Sequence, residues 1–357
     1  MTFHDGLVVC LAWGCLLATA WVSPAAAQIR ALPPIVADTG QPCSTGNSPD
    51  RPPDGATPIS GLAMSSSPPL ASAVGWGQPA ACDIPELLPP QMPQNAYSGQ
   101  QPLASGYWTW QVLPDGLIYR SYLAAGRESR FASHWIHERD LGWLWDISLG
   151  GRVGLLRYGT QNNNWPEGWQ LDVEGAAFPR LAMERDRDLV SADFRVGFPL
   201  TVRRDRWEGK FSYYHLSSHL GDEFLETFSA TRINYVRDAL VVGIAFRPNS
   251  DVRLYSEAGW AFYTGGGSRP WEFQFGVDYS PAAQLGAFPA PFFAVNGRLR
   301  QEVDFGGNFT VQTGCQWRGQ SGNLVRFGMH YLNGKTDQYQ FLPHHEEQIG
   351  LGVWYDY

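Results

Sequence analysis

Charge is what this chain has least of. Asp, Glu, Lys and Arg make up 17% of its 357 residues, against about a quarter in an ordinary soluble domain. Nor does the charge lean basic. Lys and Arg number 26 against 34 Asp and Glu, a formal net charge of −8. No positive excess exists to neutralise a phosphate backbone, which argues against a nucleic-acid partner. Cysteine is scarce too, with 5 residues, and no pair has metal-ligand spacing, so no zinc site is expected. Beyond residue 22 no stretch reaches the run of about 18 apolar residues that a membrane helix needs.

The one clear apolar run is LVVCLAWGCLLATAWV at residues 7–22, followed by SPAAAQ. Ala25-Ala26-Ala27 is a small-residue cleavage site ahead of Gln28, so 1–27 reads as a secretory signal peptide that carries off Cys10 and Cys15. Residues 28–105 are rich in Pro, Ser, Gly and Ala and show no helical or strand period. They read as an extended, disordered linker. In an oxidising compartment Cys43 and Cys82 of this segment could pair.

What the chain has in plenty is aromatic residues, 14% of it, with Trp alone at 15. From Tyr107 onward, segments of roughly ten residues alternate apolar and polar, with turn residues between them. Trp271, Phe273, Phe275, Val277 and Tyr279 fall on one face of a strand, and Glu272, Gln274, Gly276 and Asp278 on the other. The stretches Asn308–Arg318 and Val325–Tyr331 repeat the pattern. A soluble sandwich would alternate in the same way. Aromatics crowd the strand ends of the apolar face, however, as an interfacial girdle requires. The other face carries Gly, Gln and charges such as Arg152, Asp172, Glu174, Arg298 and Arg326, which in opposite-sign pairs would plug a barrel interior.

The expected fold is therefore all-β: an antiparallel transmembrane β-barrel of about twelve strands over residues 106–357, in the cell outer membrane. The strands are placed near 117–124, 143–158, 168–182, 188–203, 206–219, 233–247, 252–264, 271–280, 291–303, 308–318, 323–333 and 347–357. Trp135–His137 belongs to the first of these or to a loop. The last strand alternates Ile349, Leu351, Val353, Tyr355 and Tyr357. It resembles the C-terminal signal read by the outer-membrane insertion machinery, which is thus an expected partner.

Several phrases occur together: DGLIYRSYLAAGRESRF at 115–131, GWLWDISLGGRVGLLRYG at 142–159, EGWQLDVEGAAFPRL at 167–181, YYHLSSHLGDEF at 213–224, RINYVRDALVVG at 232–243 and WEFQFGVDYSP at 271–281. With them the chain resembles the bacterial domain-of-unknown-function 1207 family, over about residues 107–357. The resemblance implies an exported protein and carries no activity.

One strand stands apart. In RWEGKFSYYHLSSHLGDE, one face carries Trp207, Phe211, Tyr213, His215, Ser217 and His219. His215-x-Ser217 resembles the pair that outer-membrane phospholipase A and the outer-membrane lipid A deacylase carry on a lipid-facing strand, although those enzymes have Asn where this chain has Ser218. The chemistry asks for a base within reach of the Ser hydroxyl and a third group to orient the imidazole. If a hairpin follows, Asn234 and Asp238 of the next strand flank the level of His215 and Ser217, and Asp238 is the better electrostatic partner. The expected role is a membrane-lipid acyl-ester hydrolase, with Ser217 as nucleophile, His215 as base, and Asp238 or Asn234 as orienter. Two other readings stay open: a non-enzymatic structural or interaction barrel, with His215, Ser217 and His219 tied as a polar cluster to Asp222 and Glu223, and a small-solute channel. No cofactor is required, though Asp222-Glu223 could hold calcium.

Overall fold

The computed structural model describes residues 107–161, 165–283 and 286–357. The expected signal peptide, linker and Cys43–Cys82 pairing lie outside these residues. Thirteen strands form one antiparallel sheet. They are β1 (Thr109–Val112), β2 (Phe131–Glu138), β3 (Gly142–Gly159), β4 (Gly168–Ala182), β5 (Asp188–Arg204), β6 (Trp207–Leu220), β7 (Val236–Phe246), β8 (Val252–Gly265), β9 (Trp271–Tyr279), β10 (Ala290–Arg300), β11 (Gly307–Arg318), β12 (Leu324–Lys335) and β13 (His345–Asp356). From β2 onward each strand pairs with the next. β13 then pairs back onto β2, from Gln348 opposite Glu138 to Tyr355 opposite Phe131. The result is a closed twelve-strand antiparallel barrel formed by β2–β13.

β3 is 18 residues long and β2 covers only its Gly142–Leu149 part. The far shorter β1 fills in on the same edge, with Thr109 opposite Gly159 and Val112 opposite Leu156. We call the rim at which β13 ends the near rim and the opposite one the far rim.

Alternation along each strand puts apolar side chains outside. Leu149, Val153, Val242, Ile244, Leu254 and Leu351 are all exposed on the wall. Trp143, Trp169, Trp207, Trp271 and Trp317 are exposed near strand ends, above and below that band. An exposed apolar belt between two aromatic girdles is the surface of an outer-membrane-type barrel.

One strand is misplaced by alternation alone. Residues 117–124 are not in the wall; the first wall strand is β2, which contains Trp135–His137. The stretch between β1 and β2 turns into the lumen instead, where Leu117, Ile118, Tyr119, Tyr122, Leu123, Ala124 and Ala125 are buried. Their sequence, LIYRSYLAA, is apolar on both sides because this segment is enclosed on all sides. Its irregular backbone takes hydrogen bonds from arginines. Arg157 Nη2 donates to the Gly116 carbonyl at 2.8 Å and Arg253 Nη1 to that of Arg120 at 2.9 Å. Arg326 Nη2 donates to the Leu123 carbonyl at 3.1 Å and Arg195 Nη1 to that of Arg127 at 2.9 Å. Tyr122 stacks on Tyr255 of β8, ring centroids 3.8 Å apart.

Carboxylates offset this positive charge. Arg152 pairs with Asp172 at 2.5 Å, Arg195 with Glu174 at 3.0 Å and Arg253 with Glu208 at 3.0 Å. Arg130 and Arg326 share Asp356, each at 2.6 Å. The lumen closes from the far rim as well. Loop 336–344 folds inward and buries Thr336, Gln338, Tyr339 and Gln340. Tyr339 stacks on Tyr235 at 4.6 Å, and the Asp337 carbonyl accepts Arg127 Nε at 3.0 Å. Burial alone would raise the Asp337 carboxyl; the Arg298, Arg127 and Arg300 guanidiniums outweigh it and hold the group below the usual carboxylate range.

Two outcomes follow. The barrel in a planar bilayer should pass no steady current, and replacing residues 116–126 with a Gly-Ser segment should open single-channel steps. Steady conductance by the unaltered chain would contradict a filled lumen. Asp337→Asn should lower the urea midpoint at neutral pH. Because the native pKa is depressed, the stabilisation is present above the unfolded value of about 3.9 and fades as pH falls through the native value. The gap between variant and wild type should close on acidification, and a gap constant from pH 7 to pH 3 would contradict the ion-pair assignment.

Candidate functional site

β6 carries the His-x-Ser face. Trp207, Phe211 and His219 are exposed, and Tyr213, His215 and Ser217 are half-buried, while Glu208, Lys210, Ser212, Tyr214, Leu216 and Ser218 turn into the lumen. The outward assignment read from alternation therefore holds along the whole strand. Register does the rest. His215 stands directly opposite Asp238 of β7, and Ser217 opposite Val236. On the other side His215 faces Val196 and Ser217 faces Phe194 of β5.

His215 Nδ1 and Asp238 Oδ1 are 2.9 Å apart. Asp238 is the carboxylate expected to orient the ring, and with Asp238 ionised the bond requires the proton on Nδ1, which leaves Nε2 as the base atom. Tyr213 donates its hydroxyl to the same carboxylate oxygen at 2.6 Å. This partner was legible only as a member of the face, two residues before His215. The β7–β8 register shifts between Asp238 and Ala239, a β-bulge, and bulges re-aim side chains beside functional sites. Tyr213 also stacks near Phe198 at 6.5 Å and Phe262 at 6.3 Å, so the polar trio sits in an aromatic surround.

Other expected members stand further off. Asn234 lies before β7, is exposed and falls two residues beyond Val236, at the level of His219 rather than His215. Just before β7, the Tyr235 carbonyl still accepts the Ser218 N–H at 3.1 Å, and the inward loop holds Ile233. Gln340 accepts the Ile233 N–H at 3.0 Å and donates to the Ile233 carbonyl at 2.7 Å. The same side chain donates to the Ser218 carbonyl at 2.9 Å, which braces the His-x-Ser strand from behind. His219 packs edge-on against Phe194 at 5.8 Å. Asp222 and Glu223 open a short helix, α1 (Asp222–Phe228), where acidic groups complement the helix dipole. Asp222 is ion-paired with Arg232 at 2.9 Å. Among the described residues no hydrogen bond joins Ser217 to His215.

The model of the family described as "Protein of unknown function (DUF1207)" matches residues 91–357. The chain belongs to that family. A search of the curated proteins finds no match. Among solved structures, the chain is similar to the outer membrane phospholipase A of Escherichia coli at 9% identity, over 65% of this chain and 91% of that one, TM-score 0.43. It is similar to the Salmonella typhi outer membrane phospholipase dimer with bound calcium at 10% identity, covering 66% and 93%, TM-score 0.41. It is similar to the KdgM porin in complex with oligogalacturonate at 8% identity, covering 63% and 99%, TM-score 0.37. No activity follows from these likenesses.

The His215–Asp238 bond makes a spectroscopic prediction. In the detergent-solubilised barrel, the 15N shifts of neutral His215 should report a proton on Nδ1, and Asp238→Ala should return the ring to the Nε2-protonated tautomer. An unchanged tautomer in the variant would mean that Asp238 does not orient the ring.

Proposed function

We propose that this outer-membrane-type barrel works on its outward wall, as an acyl-ester hydrolase of membrane lipid. The observation that carries the reading is the His215–Asp238 hydrogen bond on the outward face, with Ser217 two residues along the same strand. Successive same-face residues are about 6–7 Å apart along a strand, a gap that a Ser and a His side chain can close.

The steps are those of a Ser-His-Asp group. His215 Nε2 takes the Ser217 hydroxyl proton as Oγ attacks the ester carbonyl. The imidazolium, stabilised by Asp238, returns that proton to the leaving alcohol, and an acyl-serine remains. Water, deprotonated by the same nitrogen, then releases the fatty acid and restores the Ser217 hydroxyl. An ester carbonyl of a lipid lying against the wall needs no path through the lumen to reach this face. A channel finds no support in a lumen filled from both rims.

Export through residues 1–27, residence in the outer membrane and delivery by the insertion machinery through β13 belong to the same proposal. A second reading is favoured by Tyr213, whose hydroxyl also occupies Asp238, and by the unmade Ser217–His215 bond. In it the trio is a polar brace on a non-enzymatic barrel.

Fatty-acid release from phospholipid or lipid A in mixed micelles separates the two. The hydrolase reading expects release that Ser217→Ala abolishes and that His215→Ala cuts about a hundredfold or more, with assembly intact. Asp238→Ala should cost less than His215→Ala. The brace reading expects no release from either lipid and a lowered urea midpoint in Asp238→Ala. Release that persists in Ser217→Ala would remove the assignment.

A further inference from the structure

The far rim holds a group of side chains that neither the wall nor the outward site uses. β2 ends at Glu138, and the turn 139–141 leads into β3. Glu138 is 0% exposed. Its Oε2 accepts the backbone N–H groups of Asp140 at 2.8 Å and Leu141 at 2.7 Å. Its Oε1 is buried with no hydrogen-bond partner. Across the β13–β2 seam, His344 ends the inward-folded loop. Its backbone is fixed at both atoms: the N–H donates to the Phe341 carbonyl at 2.8 Å, and the carbonyl accepts the Thr336 N–H at 3.0 Å. Its Nε2 is likewise buried without a partner.

Donor atoms of Glu138, Asp140 and His344 lie within 4.8 Å of one another. Buried polar atoms are normally satisfied, and leaving them unmade is costly. Here a carboxylate oxygen and an imidazole nitrogen are both left over in one cluster, and no hydrogen bond or ion pair joins them. The neighbouring carboxylates are committed elsewhere. Glu346 is ion-paired with buried Arg180 at 2.7 Å, and Glu347 with exposed Arg139 at 3.8 Å.

We infer that Glu138, Asp140 and His344 form a binding site for a divalent first-row transition cation of the zinc type. One imidazole and two carboxylates are the donor set such ions accept. Ligand bonds of about 2.0–2.2 Å at tetrahedral angles put donor atoms roughly 3.3–3.6 Å apart, so the cluster closes by about 1–1.5 Å to hold an ion, a shift within reach of the exposed Asp140 side chain. Three protein donors leave a coordination position for water on the side of Asp140, which is exposed. Calcium asks for about six to eight oxygens, which this cluster does not offer. The bound ion ties the turn after the first wall strand to the loop before the last one, and so locks the inward loop at the seam. Its donors come without cysteine, from one turn at 138 and 140 and from 344, some two hundred residues on, brought together by barrel closure.

The test uses the full chain without a polyhistidine tag, refolded in detergent, stripped with chelator and titrated calorimetrically with Zn²⁺. One ion per chain is expected. Binding should weaken about tenfold or more in Glu138→Gln and in His344→Gln, and stay at the wild-type value in Asp186→Asn, an exposed turn residue outside the cluster. Zn²⁺ should raise the melting temperature of the wild type and not of the two site variants. Co²⁺ should give a visible absorption band that Zn²⁺ displaces and millimolar Ca²⁺ does not. If Glu138→Gln assembles poorly, exposed Asp140→Asn serves in its place. A folded wild-type barrel that takes up no zinc overturns the site, as do site variants that bind like the wild type.

Discussion

Irregular backbone at membrane depth must find its hydrogen bonds inside the protein, and the rest of this structure follows from how that demand is met. The segment between β1 and β2 crosses the lumen without regular structure, so its carbonyls need donors. Arg157, Arg195, Arg253 and Arg326 provide them from the wall. Each guanidinium brings a charge that cannot stand alone in a closed interior. Asp172, Glu174, Glu208, Asp278 and Asp356 offset much of it through buried ion pairs. The low overall charge of the chain is thus misleading as an average: outward positions are nearly free of charge, and inward ones are dense with it.

With the interior occupied, both candidate sites lie on the surfaces. The outward wall offers a histidine oriented by a carboxylate next to a serine; the far rim offers two unsatisfied donors and an exposed carboxylate. Both depend on the inward loop. Gln340 braces the back of β6 at Ser218 and holds Ile233 just ahead of β7. His344 of the same loop closes the metal cluster.

Most of the wall was legible because its physics is local. A period of two with lipid on one side leaves a pattern that any ten residues display, and the strands from 143 onward fall within a few residues of their expected bounds. The same alternation put His215 and Asp238 on one face and one level. Residues 117–124 imitate a wall strand for a reason of the same kind. A segment surrounded by protein on all sides has no polar face, and its apolar run imitates a strand. Of the two orienters that alternation left open, Asp238 is the one in contact with His215, a choice that side-chain geometry makes and alternation does not. Tyr213 was visible on the face, but its bond to Asp238 depends on side-chain geometry that alternation does not carry. The Glu138 cluster is invisible from spacing, since the seam that assembles it joins the two ends of the sheet.

That seam has a consequence for assembly. The lumen segment leaves the wall after β1 and returns as β2, the strand that β13 must meet to complete the ring. Hairpins from β3 to β13 can form by near-neighbour pairing. The β13–β2 junction joins residues some two hundred positions apart, the kind of contact that forms late. Residues 113–130 run straight into β2, so the contents of the lumen and a closing strand are one continuous piece of chain. Packing the lumen and shutting the ring are therefore coupled steps. Closure then behaves as a latch, with the rim cluster at 138, 140 and 344 as the point at which it catches.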